Sequence, residues 1–233
     1  KKLVGKTEKP NEAAKPDPAS QAEKTEPKFG LAISGSSALN LGSLQTEAYI
    51  ADGTVELTGG ERLLAVRAIN NSQVTAASGA AALTRAKNPS SNFSAGIAGS
   101  IAWNDFTNET AAAVTNTTAA GVQDATVQAL AGGQQVAVAL GLGVNEAADR
   151  DTAASAAGSV SVNTVTNRVT STVEDSELVG QDGKSNRHLD ITAYDRTKVG
   201  TGGGSLIAGG KAGLGAAITY SEVDSITGAY LSK

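Results

Sequence analysis

The chain has no cysteine, no methionine and a single histidine, and aromatic residues make up only 3% of its 233 positions. Each shortage removes a class of chemistry. Without cysteine there is no disulfide framework, no thiol nucleophile and no Cys-ligated zinc, and export through an oxidising compartment risks no stray crosslinks. A Ser-His-Asp arrangement would have to be built on His188, yet no Gly-x-Ser-x-Gly marks a nucleophile. So few rings cannot fill a wide globular core, because rings supply much of the buried area in such cores. Excess basic charge is also missing: the net charge is −4, which argues against nucleic acid as a partner. No apolar run approaches the roughly 20 residues of a spanning helix, so membrane insertion is not expected.

What is present is small and apolar. The 40% hydrophobic content rests on Ala, Val, Leu and Ile beside 27 glycines, a palette suited to a narrow core of small and β-branched side chains. Residues 1–28 differ from the rest. They hold Pro10, Pro16, Pro18 and Pro27 among interleaved lysines and acids, and are predicted to be a disordered linker because they offer too little apolar area to offset the entropy of ordering.

From Phe29 onward the chain repeats itself, with repeats at approximately 29–92, 93–154, 155–213 and a partial 214–233. Asn40, Asn104, Asn163 and Ser221 align in one column, and Ile50, Val114, Val173 and Leu231 in another ten residues later. Alternate columns behave alike, as strands demand. One runs Ile33, Ile97, Ala156, Leu214, and another runs Leu39, Trp103, Val162, Tyr220; these are read as the buried face. Leu64-Val66-Ala68 is matched by Ala125-Val127-Ala129 and Leu189-Ile191-Ala193, and a further strand is placed near Val74, Val136 and Val199. The fold class that follows is all-β: a parallel β-helix (β-solenoid) built from ~60-residue repeats. Each repeat is expected to hold four strands on two or three coils of 20 to 25 residues. On that count the asparagines are not stacking neighbours, and they are read as turn residues that tolerate left-handed backbone.

The third and fourth repeats, with Gly158 to Asn163, Leu189 to Ala193 and the Ala48-Tyr49-Ile50 strand followed by Asp52, resemble the repeat of the very large leukotoxin and filamentous-haemagglutinin-like adhesins exported by type V routes in Gram-negative bacteria. The resemblance covers about residues 29–233. It implies a right-handed parallel β-helix that binds host cells, matrix or its own kind, or serves as a toxin stalk. It transfers no catalytic residue.

The candidates for site chemistry have plain structural readings. His188 is read as a solvated loop residue. Glu174, Asp175, Glu177 and Asp182 form the densest acidic group, without the spacing of a calcium loop. Gly202-Gly203-Gly204 and Gly209-Gly210 lack the Gly-Lys-Ser/Thr of a phosphate cradle, and are read as tight turns or close approaches between coils. Four Asn-x-Ser/Thr sequons occur, at Asn70, Asn92, Asn108 and Asn116. No catalytic residue, cofactor or metal is expected. The expected role is therefore that of a secreted cell-surface adhesin or stalk, with contacts in the loops at Gly53 to Arg62, Arg85 to Asn92 and Gln181 to His188. A filament polymerising head to tail is the alternative, and a carbohydrate-active β-helix enzyme a further one.

Overall fold

The computed structural model describes residues 29–60, 62–84, 93–146, 153–180 and 188–233; the segment expected to be a linker lies outside them. The described residues form strands β1 (Phe29–Glu56), β2 (Leu63–Thr84), β3 (Phe93–Ala120), β4 (Asp124–Asn145), β5 (Ala153–Glu174), β6 (Glu177–Val179), β7 (His188–Ala208) and β8 (Ala212–Ser232), with no helix among them. All pairing is parallel. One sheet, here sheet A, has the order β1-β3-β5-β8 with β6 beside β3, and sheet B has the order β2-β4-β7.

Each repeat goes out along sheet A and returns along sheet B, so it makes one circuit. This corrects the expectation of two or three coils and four strands per repeat. The strands are far longer than ordinary ones. The 22 residues of β2 and the 28 of β1 span about 70 and 90 Å at ~3.3 Å per residue. What looked in the sequence like two strands with a turn at asparagine is one continuous strand. The register reproduces the aligned columns: Ile33 pairs with Ile97, Ile97 with Ala156 and Ala156 with Leu214.

The face assigned to those columns is inverted. Ile33, Ile97, Ile101, Trp103 and Leu214 point outward and are substantially exposed, Ile97 by 46% and Trp103 by 42%. Between them, and pointing in, stand the columns Ala32/Gly96/Ser155/Gly213, Ser34/Ala98/Ala157/Gly215 and Ser36/Ser100/Ser159/Ala217. Of these, Ala32 and Ala98 meet Ala80 and Ala82 of sheet B, and the next inward column, Ala38/Ala102/Ser161, meets Ala137 and Ala139. Side chains this small let the two sheets come almost backbone to backbone. A Cβ on Gly141 would lie 2.6 Å from the carbonyl oxygen of Gly158, so no side chain fits there. Most bulky residues of this narrow end therefore point outward; Ile207 on β7 is an exception, packed inward over Gly213 and Gly215.

The other end of the sandwich is wider. There Val114, Val169 and Val173 of sheet A pack on Val66, Val127 and Ala129 of sheet B, and beyond them lie Leu64, Ala119 and Val122. Here the matching of Leu64-Val66-Ala68 with Ala125-Val127-Ala129 and Leu189-Ile191-Ala193 is the true register; the first two sets are buried and the third partly so. The strand near Val74 is aligned one residue off at Val136: Val74 pairs with Gln135, and Gln135 with Val199. Gln135 is the buried residue of that column, and Val136 faces the other way.

A kink recurs at one column of sheet A. Asp52, Asn116 and Asp175 all adopt left-handed backbone, with φ of 53°, 44° and 46°. Asn and Asp are the non-glycine residues that accept this region most readily. After the kink the alternation shifts by one: Val114 points in, and so does Thr117. The acidic turn after Ala48-Tyr49-Ile50 is this feature, and Asn116 Nδ2 donates to Asp52 Oδ1 at 2.8 Å across it.

Glycine is required at 141 but not at 99, where an added Cβ meets nothing within 4 Å. Gly141→Val is expected to lower stability by about 1–3 kcal/mol or more, the usual cost of overpacking, whereas Gly99→Ala stays within roughly 0.5 kcal/mol, as surface changes do. Urea unfolding midpoints of the two variants check this; equal midpoints would show that the sheets are not in close contact at Gly141.

Candidate functional surface

The described residues contain no group of three or more His, Asp or Glu that could hold a metal ion. Glu174, Asp175 and Glu177 lie around the kink between β5 and β6, while Asp182 lies outside the described residues. His188 opens β7 beside Asp124 of β4, at the start of a strand instead of inside a loop. Gly202, Gly203 and Gly204 lie within β7, where Val138, Leu140 and Thr219 occupy the space beside them. Gly209 and Gly210, with φ of 77° and 78°, form the turn into β8. Both halves of the glycine reading are therefore present, at different positions.

Of the loops expected to make contacts, Gly53 to Glu56 belong to β1, and residues 85–92 and 181–187 lie outside the described residues. The sequons are not equivalent. Asn70 and Asn108 point inward and are 8% and 3% exposed, so neither can accept a glycan in the folded chain. Asn116 is exposed, at the left-handed kink, and Asn92 lies outside the described residues.

The asparagine column is not a set of turns. Asn40, Asn104 and Asn163 are mutual register neighbours on the inner face of sheet A, and Asn40 Nδ2 donates to Asn104 Oδ1 at 2.9 Å. Each also reaches across the interior. Asn40 donates to the Thr75 carbonyl at 2.8 Å, Asn104 to that of Val136 at 2.8 Å, and Asn163 to those of Gln135 and Gly200 at 3.0 Å each. Thr75, Val136 and Gly200 are themselves one column of sheet B. The amides thus bolt sheet A to sheet B once per circuit.

A second column continues the device. Asn108 Nδ2 donates to Asn167 Oδ1, and Asn167 Nδ2 to Asp195 Oδ2, both at 2.9 Å. Asp195 also accepts from the Ser225 hydroxyl at 2.7 Å, the Thr197 hydroxyl at 2.7 Å and the Thr197 amide at 2.9 Å. Burial, the largest single influence, pushes its carboxyl up; the hydrogen bonds from Thr197, Ser225 and Asn167 together outweigh it and hold the group below the usual aspartate range. Sequence reasoning missed this second column because Leu44 occupies it in the first repeat.

The outer faces divide along the strands. At the wide end, sheet A shows Thr107, Glu109, Thr166 and Arg168, and on sheet B Arg196 lies 4.6 Å over the ring of Tyr194. At the narrow end the outer face of sheet A is apolar. There the column Gly35/Gly99/Gly158/Ala216 is the floor of an open groove of about 680 Å³, walled by Ile101, Val160 and Ile218. A smaller groove of about 510 Å³ runs over Leu140, Leu142 and Leu206 on the outer face of sheet B. These are shallow, open apolar surfaces. Neither is lined by Asp, Glu, His, Lys or Arg.

Asn104→Ala removes two hydrogen bonds at a fully buried site and is expected to cost about 1–3 kcal/mol, against roughly 0.5 kcal/mol or less for Thr107→Ala on the surface; chemical denaturation measures both. Asp195, with a carboxyl depressed in the folded chain, contributes stability that is fully present above the unfolded value of about 4 and is lost as pH falls through its lower folded value. Acid titration of the thermal midpoint should therefore fall more steeply for the native chain than for Asp195→Asn, and parallel curves would remove the assignment.

No protein-family model matches the chain, and neither do curated proteins or solved structures.

Proposed function

We propose that this chain is a right-handed parallel β-helix segment of a large secreted bacterial surface protein, and that it acts as a rigid stalk or adhesive rod through repeated contacts on its outer faces. The observation that carries this reading is the register: every repeat adds one parallel strand to sheet A and, through the third repeat, one to sheet B, without a slip. A chain that returns through a second sheet between parallel neighbours makes crossover connections, which are right-handed in almost all known cases. Repeats that contact only their neighbours build a body whose length is set by repeat number and whose faces present the same pattern again and again.

The partner on this reading is a host-cell, matrix or self surface, and the resemblance to type V secreted adhesins supplies the cell-surface setting. Flat faces favour it over an enzyme. The grooves stand open along the sheets, and broad contact gives affinity through area and a few anchors, not through an enclosed pocket.

Duplicating residues 93–152 in tandem tests the architecture. The longer chain should gain one strand in each sheet and unfold at a higher denaturant concentration, because each added neighbour interface stabilises a repeat array; an unchanged or lower midpoint would count against the β-helix. Beads displaying the folded chain should be retained on matrix-coated or epithelial layers above albumin-coated beads, and equal retention would remove the adhesive role.

A further inference from the structure

The narrow end leaves an apolar face on sheet A with nothing over it among the described residues, and we infer that a second copy of this chain covers it, face to face. Exposure here is not an edge effect. Ile97, Ile101 and Trp103 belong to β3, which has a strand on either side, yet they are 46%, 48% and 42% exposed. The outward positions from Leu31 to Leu39, and their register partners on β3, β5 and β8, include no charged residue. Charge begins at the next outward column, with Asp105 and Glu222.

Area selects the occupant. Four strands at ~4.8 Å and about nine residues at ~3.3 Å give a face of ~19 by ~30 Å, or roughly 600 Å². Pairing two such faces buries about 1,200 Å², which reaches the range of specific protein interfaces, and a lone patch of this size already stands at the upper end of what monomers expose. The outer face of sheet B has three strands and a stretch of nine residues with five outward positions per strand, Val136 to Val144 on β4, which gives only ~430 Å² per copy, or ~860 Å² for a pair, and stays below that range.

Shape favours a copy of the same face. The glycine column is a groove between two ridges, Ile33/Ile97/Ala156/Leu214 on one side and Ser37/Ile101/Val160/Ile218 on the other. Ridge and groove lie on one surface, so two copies related by a two-fold axis can each seat a ridge in the other's groove. A lipid surface has no use for the groove, and the acidic residues at its border would repel anionic headgroups.

Sedimentation of the full chain should show a concentration-dependent dimer. Ile97→Lys with Ile101→Lys, which place two unpaired charges in the contact, should weaken association on the order of a hundredfold or more, with unchanged circular dichroism and, at concentrations where the native chain is monomeric, a similar unfolding midpoint, because both sites point outward. Gly99→Leu with Gly158→Leu is the sharper variant. An added Cβ has open space at Gly99 and only ordinary contact, 4.0 Å from the Ala216 carbonyl, at Gly158, so the fold tolerates both while the groove is filled with more apolar surface. Loss of the dimer in this variant supports interlocking ridges, whereas retained or stronger association would show mere apolar adhesion and overturn the proposal. Thr107→Lys with Thr166→Lys, on the polar end of the same face, should leave the dimer intact. A native chain that stays monomeric into the high micromolar range, or that binds phosphatidylcholine vesicles instead of itself, also overturns it.

Discussion

The side-chain amides of Asn40, Asn104 and Asn163 hold this structure in register, because once per circuit they fix sheet A against sheet B, with Ser161, Ser171 and Asn167 adding further bonds across the interior. Hydrogen bonds along a parallel sheet fix neighbouring circuits but say nothing about how one sheet slides over the other. Apolar contact does not settle it either: an alanine seam is nearly featureless along its length, and hydrophobic attraction has no direction. A donor aimed at one carbonyl does settle it, since a slip would bury the amide without a partner at about 1–3 kcal/mol for each group. Asn145 repeats the device farther along, donating to the carbonyls of Ser94 and Ala154.

Close approach of the sheets follows once the register is fixed. The narrow end holds mostly Gly, Ala and Ser on both inner faces, with Thr84 and Ile207 set over glycines of the facing sheet, and Gly141 stands where any side chain would strike the Gly158 carbonyl. Such an interior buries little area per residue, at ~25 cal/mol per Å². Valine and leucine at the wide end supply more. The thin interior carries a further cost: the hydroxyls of Ser36, Ser100, Ser155 and Ser159 are buried without a hydrogen-bond partner, as are both polar atoms of the Gln135 side chain. One strand thus does two jobs along its length. Its wide end stabilises the sandwich, and its narrow end turns bulky side chains outward.

Much of this was legible in the residues, and the failures share a cause. The aligned columns are true register neighbours, because a parallel array places equivalent residues of successive repeats side by side and selection for stacking leaves them alike. The face is the opposite of the expected one because the inward preference of apolar side chains is a rule that runs one way only. Here the small residues between them are the core. The turn reading of the asparagines rests on the count of two or three coils per repeat, which keeps them from stacking; one circuit per repeat makes them neighbours. Their inward placement could have been read from parity: Asn40, Ala48 and Ile50 share even numbering, so an unbroken strand puts all three on one face. The column Val74/Gln135/Val199 was harder, since matching valine to valine shifts the alignment by one, and only backbone pairing exposes the error.

Function was least legible, and the geometry gives the reason. Catalysis needs a few groups brought together, and a parallel array instead spreads equivalent groups along a line, one per circuit. Repetition converts a side chain into a stripe. A stripe of asparagine inside becomes a clamp, and a stripe of isoleucine beside one of glycine outside becomes a ridge beside a groove. On the proposed reading such features match surfaces that are themselves extended or repeated, and a second copy of the same face is one surface of that kind. The same regularity that holds the sheets together thus produces broad contact in place of a pocket.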